Sequence, residues 1–416
     1  MIDLADYCAD LGRRARAAAR ALALLATAEK DAWLRAAADA LVVGTTDLQA
    51  ANKRDLAAAE ANGLTSAQID RLRLTPDRIK AAADGMREVA ALADPVGRVL
   101  EGGIRPNGLR VSKVGVPLGV ILFIYESRPN VTVDAAALAV KSGNALILRG
   151  GKEAMHSNAA LHRILIGAAP LPADAIQLVD TPDRTAVGHL LKLRESIDLV
   201  IPRGGEGLIE RVSREATMPV LKHYRGNCHV YVDRAADLGM AIRILLNAKC
   251  QRPGVCNAAE SLLVHADVAE QFLPAAAAAL RERSVELRGC EETRAIVPDV
   301  KPATEADYAA EYLDLILSVK IVDSLEAAAD HIAEYGSGHT EAIITNDLRA
   351  AEQFTALVDS SAVMVNASTR FNDGFELGLG AEIGISTDKL HARGPCGLKE
   401  LTSYKYIIHG DGQVRE

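Results

Sequence analysis

A chain of 416 residues exceeds what one small core organises and implies two or three domains. Its 49% hydrophobic and 25% charged residues fit a soluble globular protein, and 4% aromatics with abundant Ala imply helices packed through small side chains. A formal net charge of −8 argues against nucleic acid or an anionic membrane as partner, because both select cationic surfaces. Asp3, Asp6 and Asp10 stand where a secretory signal carries positive charge, and Arg14, Arg16 and Arg20 break the apolar stretch behind them. No apolar run is long enough to span a bilayer. Cys8, Cys228, Cys250, Cys256, Cys290 and Cys396 show no framework spacing. The expectation is a cytoplasmic protein with free thiols and no metal site.

Residues 1 to 95 read as helices with a packing role. Thr65 and Gln68 form a capping box, and Thr75 before Pro76 is an N-cap with proline at the first helical position. At Pro95 the pattern changes to alternation around "RPNG", where Asn107-Gly108 predicts a hairpin able to reach beyond the globule. Short β-rich runs then alternate with helical ones: "LGVILFIYE" (118–126), "NALILRGG" (144–151), "AIQLVD" (175–180), "IDLVIPRGG" (197–205) and "PVLKHY". Their near-continuous Val, Ile and Leu predict a parallel sheet covered on both faces, with ligands at the C-terminal strand ends. "RGG" follows two of these strands, and glycine lets backbone N–H groups approach a phosphate. No G-x-G-x-x-G appears after the first strand, so the expected α/β nucleotide-binding domain is of a non-standard type. A second block from 233 to 365 holds "ESLLVH", "LDLILSVKIVD", "EAIITND" and "SAVMVN", and "LTSYKYIIHG" (401–410) reads as a last strand.

"NAKCQRPGVCNAAE" (247–260) presents two cysteines. A disulfide between them does not suit a reducing compartment, and no matched Cys or His completes a zinc site. Cys250 ends a helical run and reads as a packed thiol. Cys256 follows "RPGV", where proline and glycine expose backbone N–H groups, with Lys249 and Arg252 near enough in sequence to lower a thiol pKa.

"PLGVILFIYESRPNVTVDAAALAVKSGNALILRGGKEA", "VIPRGG", "HYRGNCHVYVD" and "KCQRPGVCNAAE" resemble the aldehyde dehydrogenase superfamily and, within it, the gamma-glutamyl phosphate reductase family. The resemblance runs over essentially the whole chain. It implies an aldehyde dehydrogenase-like α/β fold, with a Rossmann-type cofactor domain, an α/β catalytic domain and an oligomerisation arm built from the β-hairpin and the C-terminal strand. On that plan residues 1–98 and 116–232 form the NADP-binding domain and 233–398 the catalytic domain. Residues 99–115 and 399–416 form the arm.

The resemblance also implies roles. Cys256 matches the nucleophile, and Asn130 the amide that joins the Cys256 N–H as oxyanion hole. Arg149, standing where the superfamily often has lysine, and Lys152 fall beside the cofactor and favour the extra phosphate of NADP. Gly204 and Gly205 line its pyrophosphate or nicotinamide side. Glu311 matches the glutamate on the nicotinamide ribose, against the plainer reading of a solvated helix residue. Arg128, Lys222, His223, Arg252 and Arg370 are candidates for the anionic ends of the substrate, and Glu126 and Asp373 for its ammonium. His339 is either a pocket residue or a satisfied loop histidine. His223 occupies the position where hydrolytic members carry a glutamate base, so an acyl-enzyme here should resist water.

The implied activity is NADPH-dependent reduction of L-glutamyl 5-phosphate to L-glutamate 5-semialdehyde, the second step from glutamate to proline. The implied partners are glutamate 5-kinase, as source of the substrate, and further copies of this chain in a homodimer or homotetramer. A coenzyme A-dependent acylating dehydrogenase and a non-catalytic cofactor-binding protein are the competing functions.

Overall fold

The computed structural model describes residues 3–61, 64–222 and 225–415, which form two compact units. The first takes in the chain up to Lys222, Gly378–Gly384 and the residues from Pro395 onward. The second takes in the remainder as far as Leu377, with Ile385–Gly394.

The first unit opens with five helices, Leu4–Leu22, Thr27–Val43, Thr45–Ala61, Ser66–Leu72 and Pro76–Ala91. Both expected caps are present. The Thr65 hydroxyl accepts the Gln68 N–H while Gln68 Oε1 accepts the Thr65 N–H, and Thr75 accepts the Arg78 N–H one residue before Pro76. Leu11, Ala15, Ala18 and Leu22 recur at three- and four-residue spacing, so one stripe of the first helix lies on the sheet against Val120, Leu122 and Ile147.

Strands β1 (Val99–Ile104) and β2 (Arg110–Pro117) form the hairpin. Its turn closes through Gly108 N–H to the Arg105 carbonyl at 2.8 Å, with Pro106 and Asn107 between. Of the Asn-Gly pair only Gly108 takes positive φ, at 86°. Proline at the first central position and glycine after the turn select this form over a two-residue loop.

Strands β3 (Val120–Tyr125), β4 (Ala145–Gly150), β5 (Ile176–Leu178) and β6 (Leu199–Arg203) form a parallel sheet in the order β5-β4-β3-β6. Every residue of β3 is buried, as a strand covered on both faces must be. Of "PVLKHY", Val220 forms a single parallel bridge to Val200, and His223 and Tyr224 lie outside the described residues.

The second unit holds a seven-stranded parallel sheet. Its strands are β7 (Cys228–Val232), β8 (Ala259–His265), β9 (Glu286–Gly289), β10 (Lys301–Pro302), β11 (Ile316–Val322), β12 (Thr340–Ile344) and β13 (Ala362–Val365), in the order β10-β9-β11-β8-β7-β12-β13. Period-2 geometry sends Val230, Val232, Leu262 and Val264 into one core and Tyr231 and Leu263 into the other. The domain boundary expected at 232/233 therefore shifts. β7 pairs with β8 and β12, so it belongs to the second sheet, while Gly378–Gly384 and Pro395–Leu398 fold with the first unit.

The last strand, Thr402–His409, runs antiparallel to β2 and completes a three-stranded sheet with β1 in the first unit. Among the described residues no helix is long and apolar enough to cross a membrane.

Under the second sheet, His229 Nδ1 meets Glu341 Oε2 at 2.9 Å with both side chains fully buried. His331 meets the His229 ring edge-on and lies 3.5 Å from Lys320 Nζ. Burial, aided by His229 and Lys320, pushes the His331 imidazole down to about 3. Below an unfolded value near 6.5 the unfolded chain takes up a proton that the folded chain refuses. Stability should thus fall as pH drops through that window, by about 2 kcal/mol at pH 5 from this group. His331→Phe keeps a ring and loses the proton. Its Tm should drop less than the parent's between pH 7.5 and pH 5 in thermal melts, and an equal drop contradicts the assignment.

Candidate active site

In the first unit, three loops leave the C-terminal ends of β3, β4 and β6 and are tied together. The Glu126 N–H donates to the Arg203 carbonyl at 3.0 Å, and the Gly205 N–H donates to Glu126 Oε2 at 3.2 Å. Glu153 Oε1 accepts both the N–H and the hydroxyl of Ser127, at 2.6 and 3.1 Å. Ser127 has φ of 48°, a left-handed conformation costing about 1 kcal/mol or more without glycine, and those two hydrogen bonds offset it. Gly204 has no room for a side chain, since a Cβ there would stand 2.5 Å from Glu126 Oε2. Gly205 faces open space and precedes the helix Glu206–Glu215.

The same loops lead to Asn130, which begins the helix Val131–Lys141 without capping it. Asn130 is hydrogen-bonded instead to the Asp134 carboxyl. Burial pushes that carboxyl up to about 7, opposed by Arg203 and by Asn130 itself.

In the second unit, Cys256 sits half-buried on a turn closed by the Ala258 N–H to the Val255 carbonyl at 3.1 Å. The turn lies between the helix Leu238–Cys250 and β8. The buried Cys228 thiol donates to the Cys256 carbonyl at 3.1 Å. Gly226 lies against the same carbonyl: a Cβ on it would be 1.9 Å from the Cys256 oxygen. Glu311 Oε1 accepts the Gly226 N–H at 2.9 Å. Gly226, Cys256, Glu311 and His339 each precede a strand, β7, β8, β11 and β12 respectively. The cluster thus gathers at the N-terminal ends of the second sheet, whereas the first unit's loops follow C-terminal ends.

Beside the turn, Arg370 donates to Gln251 Oε1 at 2.8 Å and to Asn257 Oδ1. Burial holds its guanidinium below the ordinary range, with Arg252 adding to the effect and Asp373, Cys256 and Cys228 opposing it. The thiol turn therefore has a half-buried cation as neighbour.

The aldehyde dehydrogenase family pattern matches residues 6–307. The chain belongs to the aldehyde dehydrogenase family. It is 62% identical to a gamma-glutamyl phosphate reductase from Rhodopirellula baltica, over 99% of this chain and 96% of that one. The crystal structure of a gamma-glutamyl phosphate reductase from Thermotoga maritima superposes with a TM-score of 0.96 at 46% identity, over 98% of this chain and 100% of that one. An acetylating aldehyde dehydrogenase from Geobacillus thermoglucosidasius shares the fold at a TM-score of 0.72 and 19% identity, over 100% of this chain and 99% of that one.

Several of the expected site residues are engaged within the protein. Arg149 is buried, and its guanidinium donates to the carbonyls of Gly150, Pro182 and Asp183, so it braces a loop. Lys152 is exposed. Glu126 is engaged with Gly205 rather than presented to an ammonium. Lys249, expected to act on the thiol, is fully buried against Glu260. Glu311 is half-buried on a loop, which does not match the plainer reading of a solvated helix residue. His339 is fully buried, with Nδ1 2.7 Å from Thr340 Oγ1 and 3.7 Å from the Cys228 sulfur.

Arg128, Lys222 and Asp373 are half-buried and Arg252 is exposed, while His223 lies outside the described residues. Cys250 is a half-buried helix-end thiol raised by burial, as expected. Gly226, Cys228 and Glu260 were not singled out from sequence, although all three fall inside the stretches that carry the resemblance. Among the described residues no group of three or more His, Cys, Asp or Glu is placed to hold a metal ion.

Gly226→Ala forces a methyl group into the Cys256 carbonyl. Turnover should fall by about a hundredfold or more, as expected for displacement of a reacting group by an ångström. Far-UV circular dichroism should stay native. Parental kcat in this variant would refute the placement of Gly226.

Proposed function

We propose that the chain reduces L-glutamyl 5-phosphate to L-glutamate 5-semialdehyde and inorganic phosphate with NADPH, through a thioester on Cys256. The observation that carries this reading is the half-buried Cys256 on its turn, locked by Gly226 and flanked by Arg370. High identity to gamma-glutamyl phosphate reductases over nearly the whole chain supports the substrate.

The Cys256 thiolate attacks the γ-carbonyl, and the resulting oxyanion is assigned to the Cys256 N–H and the Asn130 amide. One such donor is typically worth about 3 kcal/mol. Collapse breaks the bond to phosphate and leaves the thioester. The nicotinamide, when bound, supplies the hydride that reduces this acyl group. The reduced adduct then expels the aldehyde and restores the thiolate. Arg370 and Arg252 are the cations assigned to the anionic substrate ends in the second unit, with Arg128, Lys222 and His223 as further candidates. Asp373 is assigned to the ammonium. With His223 where hydrolytic relatives carry glutamate, no carboxylate at that position activates water against the thioester.

The residues of the first unit fit a dinucleotide. Gly205 gives a backbone with room above it, at a helix N-terminus beyond a parallel strand, and Gly204 beside it leaves space for the Glu126 carboxylate. With Arg149 engaged elsewhere, preference for NADP over NAD rests on Lys152. Lys152→Ala should raise KM for NADPH about tenfold and leave KM for NADH nearly unchanged, and equal effects on both cofactors would exclude this role. Glu311, which accepts the Gly226 N–H, keeps its assignment to the nicotinamide ribose as a proposal.

Exposed Val99, Leu100, Ile104, Tyr406 and Ile408 on the three-stranded sheet support its role as an oligomerisation arm in a homodimer or homotetramer. The proposed setting is the cytoplasm, with glutamate 5-kinase supplying the labile acyl phosphate.

The deciding assay runs backwards. NADP reduction by glutamate 5-semialdehyde should require inorganic phosphate, and a requirement for coenzyme A, or for neither, overturns the assignment. Cys256→Ala should abolish turnover with NADPH binding intact, whereas Cys250→Ala should remain largely active.

A further inference from the structure

Lys249 and Glu260 stand at the two ends of the segment that bears Cys256. Lys249 lies in the last turn of the helix Leu238–Cys250, and Glu260 is the second residue of β8. Lys249 Nζ meets Glu260 Oε2 at 2.6 Å, and both side chains are fully buried. The pair closes the base of the loop like a clasp. The other carboxylate oxygen, Glu260 Oε1, accepts the Leu313 N–H at 3.2 Å. Leu313 holds φ of 53°, a left-handed conformation unfavourable for leucine, so the chain is bent there at some cost. Two residues earlier on that bend is Glu311, which accepts the Gly226 N–H, and Gly226 abuts the Cys256 carbonyl. The contacts form a closed circuit that leaves the Cys256 loop through Glu260 and returns to it through Gly226.

Stability alone does not explain such a pair. Two charges withdrawn from water lose more than their attraction returns unless the geometry is excellent, and apolar replacements of similar volume are often neutral or stabilising. Burial indeed acts on both partners toward their uncharged forms, with the opposite charge opposing it. What an apolar pair cannot supply is the second oxygen on Leu313. That bond sets the bend carrying Glu311, and through it the seat of the nucleophile.

We infer that Lys249 and Glu260 are positioning residues for the chemistry at Cys256: their buried ion pair fixes the nucleophile loop and the Glu311 bend as one unit. The inference rests on Cys256 as the nucleophile.

The test compares Glu260→Gln, Glu260→Asp and the double variant Lys249→Met/Glu260→Leu in the full chain. Tm, steady-state kinetics and the rate of Cys256 alkylation by iodoacetamide, read by mass spectrometry across pH 6 to 9, are measured for each. Glu260→Gln and Glu260→Asp should each lower kcat about thirtyfold or more with KM for NADPH within about twofold. The pH profile of Cys256 alkylation should shift in both. The double variant should keep a Tm close to the parent's yet remain as slow as Glu260→Gln. Recovery of both Tm and kcat in the double variant reduces the pair to a structural role and overturns the inference, as does parental kcat in either single variant. Alkylation needs no turnover, so it reads the seat of Cys256 independently. An active Cys256→Ala would sink the nucleophile reading, whereas an unchanged alkylation profile in the Glu260 variants would sink the positioning one.

Discussion

The absent side chain at Gly226 is the constraint on which the site depends. With the Gly226 backbone pressed onto the Cys256 carbonyl, only hydrogen fits between them. That contact fixes one side of the turn, and the Cys228 thiol donating to the same carbonyl fixes another. The proposed nucleophile must be held to within a fraction of an ångström, and a loop held by sequence neighbours alone does not achieve this. Here the holding groups come from β7, from the segment before β11 and from the residues after β13.

Sheet polarity explains how those groups arrive together. In a parallel sheet all strands start at one edge, so residues just before β7, β8, β11 and β12 converge although more than a hundred positions separate the first from the last. The first unit uses the opposite edge of its own sheet. There β3, β4 and β6 end together, and Glu126, Glu153 and Arg203 tie their loops into one platform. Glycine serves differently in the two units: at Gly204 it leaves space for the Glu126 carboxylate, and at Gly226 it admits another backbone.

Buried ion pairs lie near the N-terminal edge of the second sheet and among the helices of the first unit. Lys249 with Glu260 and His229 with Glu341 are fully buried pairs in the second unit. Lys30 with Asp94 and Lys141 with Asp31 brace the helices of the first. Removing one member of such a pair strands the other in a low-dielectric interior, so these pairs tolerate change poorly.

Much was legible locally. The Val, Ile and Leu runs marked β3, β4 and β6 because burial on both faces demands them. Thr65, Thr75 and Gly108 marked caps and a turn because their backbone chemistry acts over three or four residues. "RPGVC" singled out Cys256 over Cys250 because broken structure exposes a thiol and a helix end packs one. Tertiary structure alone decided the rest. The cations Arg149 and Lys249 looked available in sequence, but packing set a loop of carbonyls over one and Glu260 over the other. The short β7 looked like the tail of the first domain until its hydrogen bonds to β8 and β12 placed it in the second. Gly226 and Glu260 acquired their roles from partners that folding brings near. Local conformational preference is written in neighbouring residues, whereas the fate of a charge or a missing Cβ depends on which distant atoms fill the space around it.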